Sequence, residues 1–176
     1  MQKILIIVMV CVCATPLLTF GHTSIKTSEF QGQIDIEIPK NTFLFGATKW
    51  LKYHLDLNEE ITVDKALGTL TGKCKRDVKM KFSGIEVPMT LHYTIELKYL
   101  GDKVTYQIYH ISYKSIPDKG YKSHTVYVDK WFESQSKSAT LTVASNYMNN
   151  AVIEVGEIIG HLSYYLQNEA ILVSNH

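Results

Sequence analysis

Residues 93–110, YTIELKYLGDKVTYQIYH, carry the clearest fold signal in the chain, because apolar and polar side chains alternate on both sides of a short turn. The tetrapeptide Leu100-Gly101-Asp102-Lys103 predicts a two-residue turn of type I′ or II′, with Gly101 supplying a positive φ. Counting outward predicts an antiparallel register that pairs Tyr99 with Val104, Leu97 with Tyr106, Ile95 with Ile108, and Tyr93 with His110. These residues share one face of the hairpin and are nearly all apolar, so we expect that face to meet a core.

The opposite face of the same hairpin is predicted to be polar near the turn and aromatic at its far end. Alternation brings together at that far end His92, Tyr109, Ile111 and Tyr113. An exposed patch of aromatic and aliphatic side chains is a candidate ligand-binding surface, unless residues 115–137 fold back and cover it. These four residues are the candidate site that the sequence offers.

The chain before the hairpin predicts a strand, a helix and further strands. Three isoleucines alternate with polar residues over 34–38 and indicate a half-buried strand that ends at Pro39. Apolar residues at helical spacing then predict a helix from Asn41 or Thr42 to about Leu55. Residues 66–114 are rich in period-two alternation, which is typical of β-structure.

The C-terminal part predicts one long helix. Apolar residues spaced alternately by three and four run from Leu141 to Tyr165 and indicate a helix over residues 138–168. The spacing also fits a coiled-coil seam, but covering the sheet is the better use of so apolar a face. Between hairpin and helix, residues 125–128 predict a short strand, and Lys130-Trp131-Phe132 a short helix or an anchored loop.

The predicted order of elements is β-α-β-β-β-β-α, which is typical of the α+β class. We expect an antiparallel sheet of about five strands with two helices on one face, the second being the long C-terminal helix. Residues 33–168 would form this single domain, between a flexible leader over 22–32 and a tail over 169–176. A length of 176 residues fits one hydrophobic core.

The first 21 residues have the pattern of a secretory signal peptide. Lys3 precedes an apolar run, Ile4–Ala14, that is about half the ~20 residues needed to span a bilayer. Thr19 and Gly21 are small enough for cleavage before His22. The short run disfavours the alternative of an uncleaved anchor. We therefore expect an exported protein, periplasmic or secreted, with no transmembrane span after cleavage.

Cleavage before His22 would change the composition of the mature chain. Lipoprotein anchoring through Cys11 or Cys13 is disfavoured, because valine precedes each cysteine where a lipobox has a small residue. The mature chain would keep Cys74 alone, without an internal disulfide, which fits a bacterial envelope protein. Lys3 is the one charged residue removed, so basic and acidic side chains become equal in number. This balance argues against nucleic-acid binding.

The chain resembles the DUF4468 family of secreted bacterial proteins, found mostly in Bacteroidota. The resemblance covers about residues 33–114 and rests on the order and spacing of the opening strand Ile34–Pro39, the helix with Lys49-Trp50-Leu51, the segment Ala66–Lys73 and the strands Tyr93–Leu97 and Val104–Ile108. Where the family has glycine at the start of its small-residue strand, this chain has Ala66-Leu67 before Gly68. The resemblance implies a TBP-like fold and an exported location, but no activity and no functional residues.

The sequence contains no recognisable catalytic or metal-binding signature. A nucleophile elbow, a phosphate-binding glycine loop and a zinc-protease helix motif are all missing from it. Its seven histidines lack metal-ligand spacing, so we expect neither a metal nor a cofactor. Glu154, Glu157 and His161 share one side of the last helix, which we interpret as a solvated flank.

These observations predict a non-catalytic binding or interaction module of the cell envelope. It would use the open sheet face or a gap between the sheet and the long helix. Its partner, an unknown small molecule or an envelope protein, is not specified by the sequence. The alternative is a secreted enzyme of unrecognised type, whose catalytic groups come together from distant positions.

Overall fold

The computed structural model describes residues 29–54, 60–82, 84–116, 122–128 and 138–169. Their order is β1 (Phe30–Asp35), α1 (Lys40–His54), β2 (Thr62–Asp64), β3 (Thr69–Phe82), β4 (Ile85–Tyr99), β5 (Lys103–Ser115), β6 (Thr125–Tyr127) and α2 (Ser138–Tyr164). A π-helical turn, Tyr165–Glu169, follows α2. The predicted signal segment 1–21, the Lys130-Trp131-Phe132 element, and most of the predicted leader and tail lie outside the described residues.

The sheet has six strands, and each strand is antiparallel to its neighbours. Five strands follow the order β1-β5-β4-β3-β2, and β6 pairs with the end of β5 beyond β1. The predicted α+β class with a long C-terminal helix is therefore confirmed. The structure adds β2, a strand of three exposed residues that is too short to produce an alternation signal.

The first helix lies close to its predicted position, whereas the first strand is shifted towards the N-terminus from the predicted residues 34–38. β1 begins at Phe30, inside the segment predicted as leader, and ends at Asp35. The chain stays next to the sheet beyond this point, because the Ile36 amide donates a hydrogen bond of 2.9 Å to the Asp102 carbonyl. The three alternating isoleucines of residues 34–38 are all buried, as their pattern predicted.

Both helices pack on one face of the sheet and form a single core with it. Each helix contributes an apolar stripe, and alternate residues of β3, β4 and β5 supply the opposite wall. The contacting residues include Phe43, Trp50, Leu51, Ile158, Leu162, Leu70, Leu91, Ile95 and Ile108. The other side of the sheet, which carries Lys73, His92, Thr94, Gln107 and Tyr109, we call the open face.

The turn between β4 and β5 is the predicted two-residue turn, and its backbone angles distinguish between types I′ and II′. Gly101 has a φ of 95°, and Asp102 is not among the residues with positive φ. A type I′ turn needs positive φ at both central positions, so this is the type II′ alternative. The Leu100 amide donates to the Lys103 carbonyl over 2.8 Å, which closes the turn. The first three predicted pairs, from Tyr99 with Val104 to Ile95 with Ile108, are confirmed.

The fourth predicted pair, Tyr93 with His110, is wrong because β5 contains a bulge. Thr94 faces Tyr109, but His92 faces Ser112, so β5 has one residue more than β4 between these pairs. His110 is the residue with the unusual backbone, with a φ of 53°. A bulge of this kind interrupts the two-residue period of the strand. Every β5 residue after His110 therefore faces the side opposite to the one predicted.

Replacing His110 by glycine should raise the free energy of unfolding by about 1 kcal/mol, as measured by urea denaturation. An L-residue in the left-handed region costs roughly 1–2 kcal/mol, and the flexibility of glycine in the unfolded chain offsets part of that gain. His110→Val should instead lower stability, because β-branched side chains tolerate positive φ poorly. Tyr109→Gly is the control, since Tyr109 lacks a positive φ; it should be destabilising. A His110→Gly variant less stable than wild type would contradict the argument.

Candidate functional site

The four residues of the predicted surface patch do not lie together. Ile111 and Tyr113 have exposed fractions of 1% and 0% and belong to the core. His92 and Tyr109 lie half-buried on the open face. The extra residue at His110 is the reason, because it reverses the alternation that placed all four on one face. The prediction that Ile111 and Tyr113 face away from the core is therefore wrong.

Tyr113 has a structural contact that explains its position. Its hydroxyl donates to the side-chain Oδ1 of Asn150 over 2.9 Å, and the backbone carbonyl of Tyr147 lies 3.4 Å from the same oxygen. The Tyr113 and Tyr147 rings are 5.2 Å apart between centroids. Burial raises the pKa of Tyr113 above its ordinary value, with a smaller contribution from Glu154. Tyr113 thus fastens the N-terminal half of α2 to the sheet.

A half-open cleft lies between the end of α1 and the end of α2. Its volume is about 230 Å³. Six side chains line it, namely Lys49, Trp50, Tyr53, His54, His161 and Tyr165. The indole Nε1–H of Trp50 donates a 2.9 Å hydrogen bond to Nδ1 of His161, which joins the two helices at the base of the cleft.

Helical periodicity places these side chains in the cleft. Trp50 and His54 are four residues apart on α1, and His161 and Tyr165 are four apart where α2 meets the π-helical turn, so each pair shares a helix face. The Trp50 and His54 ring centroids are 4.2 Å apart, and those of His54 and His161 are 5.7 Å apart in an edge-on arrangement. Tyr53, 75% exposed, stands at the mouth.

The electrostatics of the cleft favour a neutral His54. Burial is the main cause that lowers the pKa of His54, and the electrostatic interactions with His161 and Arg76 lower it further. A neutral imidazole keeps one donor and one acceptor nitrogen. Near neutral pH, His54 therefore offers polar groups without adding a charge.

The stability of the protein should fall as the pH is lowered through the titration of His54. A histidine whose pKa is lowered on folding contributes stability above its ordinary pKa of 6.5, and this is lost as the pH falls towards the folded value. Urea denaturation between about pH 5 and pH 8 measures the effect. His54→Gln should flatten this part of the profile. His124→Gln, at an exposed histidine outside the cleft, should leave it unchanged. Matching profiles for His54→Gln and wild type would contradict the prediction.

An ion-pair network on the core side of the sheet borders the cleft. Nε of Arg76, on β3, lies 3.1 Å from a carboxylate oxygen of Glu154 on α2, and the same guanidinium contacts Glu157. The Glu154 side chain is 12% exposed. Burial raises the pKa of Glu154, Arg76 opposes that rise, and Glu157 adds to it. The predicted solvated flank of α2 is therefore wrong for Glu154, whose side chain is mostly buried against Arg76 of β3.

The cysteine of the described residues is an inert core thiol. Cys74 is buried, and burial raises its pKa to about 12. A thiol with so high a pKa is almost entirely protonated at neutral pH and is a poor nucleophile. Cys74 therefore packs in the core as a small hydrophobe. The described residues also hold no cluster of three or more histidine, cysteine or acidic side chains with metal-binding geometry.

Neither helix of the described chain combines the length and the apolar composition that crossing a bilayer requires.

Arg76, Trp50 and His161 were not among the site residues taken from the sequence. One signal was available, because Arg76 is the one arginine in the chain. Its partners Glu154 and Glu157 are 78 and 81 residues away, so no local pattern links them.

Comparison with solved structures identifies the fold class. The chain is similar to the crystal structure of a TBP-like protein from Parabacteroides distasonis, with a TM-score of 0.57 and 13% identity, over 83% of this chain and 96% of the other. It is also similar to a DUF4468 family protein from Bacteroides ovatus, with a TM-score of 0.53 and 12% identity, over 79% and 87% of the two chains. No family model and no curated protein matches the sequence significantly.

The fold is therefore TBP-like, as the sequence resemblance implied. The solved structures that share it include a member of DUF4468, the particular family that the resemblance named. Identity of 12–13% shows a common fold and carries no function across.

Proposed function

We propose that this protein is an exported, non-catalytic binding module that holds a small molecule in the cleft between α1 and α2. The observation that carries the proposal is the cleft itself, a cavity of about 230 Å³ with its two helices joined by the bond from Trp50 to His161. Concave sites lined by rings and a few placed polar groups are where proteins most often bind small ligands.

The size of the cleft limits the ligand. Its volume of about 230 Å³ equals that of roughly seven or eight water molecules at liquid density. Drug-sized ligands usually occupy pockets of roughly 300–1,000 Å³. A ligand of one ring with a short substituent fits this cleft, whereas an extended chain would project past Tyr53 at the mouth.

A fragment screen tests the proposal. A library of small acidic, basic and neutral compounds is added to the protein, and the indole N–H resonance of Trp50 is followed by NMR, with Trp131→Phe used to assign it. We expect a subset of compounds to shift this resonance and to lose the effect in Tyr53→Ala. Tyr127→Ala, on the open face, is the matched control and should keep it. A library without compounds that shift Trp50 would overturn the proposal.

A second candidate is ligand binding on the open face of the sheet. Tyr127 is nearly half exposed there and pairs through Ser112 with the row that contains His92. His92 and Tyr109 are the two residues of the predicted patch that lie on this face. Compounds in the same screen that shift His92 and Tyr109 resonances, but not Trp50, would favour this candidate over the cleft.

Export is supported by the sequence of residues 1–21. The expected product of expression in a bacterial host is an envelope-fraction protein whose N-terminal residue is His22, determined by terminal sequencing. A mature protein that begins at Cys11 or Cys13 with a lipid would instead indicate an anchored lipoprotein. A protein retained with Met1 in the cytoplasm would overturn the export part of the proposal.

A further inference from the structure

The hydrogen bond between the helices fixes the protonation of His161. The following inference rests on the proposed function and concerns the ligand of the same cleft. An indole nitrogen can only donate, so the 2.9 Å contact from Trp50 requires a lone pair on Nδ1 of His161. A neutral imidazole has one protonated nitrogen, and the proton must then be on Nε2. The buried Trp50 lies on the Nδ1 side of the ring, so Nε2–H is on the opposite side of a side chain that lines the cleft.

The described side chains that line the cleft include one cation and no carboxylate. Lys49 lines it, and none of the described lining residues is acidic. Glu154 and Glu157 of α2 are not among the lining residues, and both are paired with Arg76. The cleft thus offers an ammonium group and an imidazole N–H, and lacks a carboxylate of its own to accept from them. Groups of this kind bind an anionic oxygen through charge-assisted hydrogen bonds.

The remaining walls are flat rings. Tyr53 is exposed at the mouth, and the His54 imidazole contacts the rings of both Trp50 and His161, at centroid distances of 4.2 Å and 5.7 Å. Aromatic and imidazole rings favour stacked or edge-on contact with another planar group. The shape of the cleft therefore favours a planar body attached to the anionic group.

We propose that the cleft binds a small aromatic carboxylate. The carboxylate accepts hydrogen bonds from Nε2–H of His161 and from the ammonium group of Lys49, and the ring of the ligand packs against Tyr53 and His54. The source of the acid is not restricted to one metabolite, because the recognition uses one planar ring and one carboxylate.

Benzoate and benzamide are the probes that test this proposal, since they have nearly the same shape and differ in charge. Each probe is titrated into the full chain, and binding is followed through the Trp50 indole resonance. The dissociation constant for benzoate should be lower than that for benzamide by roughly tenfold or more. Lys49→Met should abolish this difference. Lys52→Met, three residues further along α1 and outside the cleft, is the matched control and should preserve it.

A second measurement determines the tautomer of His161 directly. Heteronuclear NMR of the imidazole nitrogens should find His161 protonated at Nε2 and bare at Nδ1, and Trp50→Phe should convert it to a mixture of tautomers. A His161 protonated at Nδ1 in the wild-type protein would overturn the proposal. So would benzamide binding as tightly as benzoate, an outcome that leaves the cleft as a binding site. If neither probe shifts Trp50, the proposed acid class is overturned, and the wider fragment screen decides separately whether the cleft binds anything.

Discussion

Replacing Trp50 by alanine should lower the free energy of unfolding by about 3–5 kcal/mol, the usual cost of removing a large aromatic side chain from a core. Trp50 is among the largest fully buried side chains in the described structure. Its removal would leave a cavity between α1 and the sheet and would also break the bond to His161. We expect the loss to appear in urea denaturation as a lower midpoint with little change in slope.

Two further variants separate packing from hydrogen bonding at this position. Trp50→Phe keeps a ring in the core but removes the indole donor, so it should cost about 1–2 kcal/mol, between the loss of one hydrogen bond and a partial cavity. Tyr53→Ala lies three residues further along the same helix, where the side chain is 75% exposed, and should change stability by no more than about 0.5 kcal/mol. A Trp50→Ala loss as small as that of Tyr53→Ala would show that α1 is not held to the core through this residue.

The parts of the fold that the sequence predicted are those governed by local periodicity. Residues Tyr93–Ile108 alternate because one face of the hairpin is buried, and a shift by one residue would bury Glu96 and Lys98. The long helix was equally visible, because its apolar spacing persists over the whole of α2. In both elements, the spacing of apolar residues along the chain indicates which face packs against the core.

The predicted surface patch failed at one residue that breaks this periodicity. His110 has a positive φ, and histidine carries no strong sequence signal for that conformation. A strict count of two therefore carried the wrong face assignment onto Ile111 and Tyr113. The apolar character of Ile111 and Tyr113 was the remaining signal in the sequence, because large apolar side chains in a strand are usually buried.

The cleft could not be predicted because it depends on how two distant helices cross. Trp50 and His161 are 111 residues apart, and each was assigned correctly to a helix without any indication that they meet. Helical periodicity gives the face that a residue occupies, but not the partner that covers that face. The ion pair of Arg76 with Glu154 could not be predicted for the same reason, because opposite charges far apart in the sequence produce no periodic pattern.

The second large effect is expected at Arg76. Arg76→Met should lower the free energy of unfolding by about 2 kcal/mol at neutral pH, because it leaves the carboxylate of Glu154 without its cation. This expected loss in the free energy of unfolding is smaller than for a fully buried pair, because the Arg76 side chain is 34% exposed. Lys79→Met is the matched control on the same strand. Lys79 forms an exposed pair with Glu86 at 3.8 Å, and its loss should cost no more than about 0.5 kcal/mol.

The pH dependence of the Arg76→Met loss identifies its cause. Burial raises the pKa of Glu154 above the value in the unfolded chain, so this group favours folding at low pH and ceases to do so as the pH rises through its folded pKa. Removing Arg76 raises that pKa further, and the cost of the variant should therefore grow from about pH 4 to pH 7. Arg76→Met combined with Glu154→Gln removes the stranded charge and should recover most of the lost stability at neutral pH. A loss that is the same at both pH values, or that the second substitution fails to relieve, would mean that Arg76 stabilises the protein through the packing of its aliphatic stem.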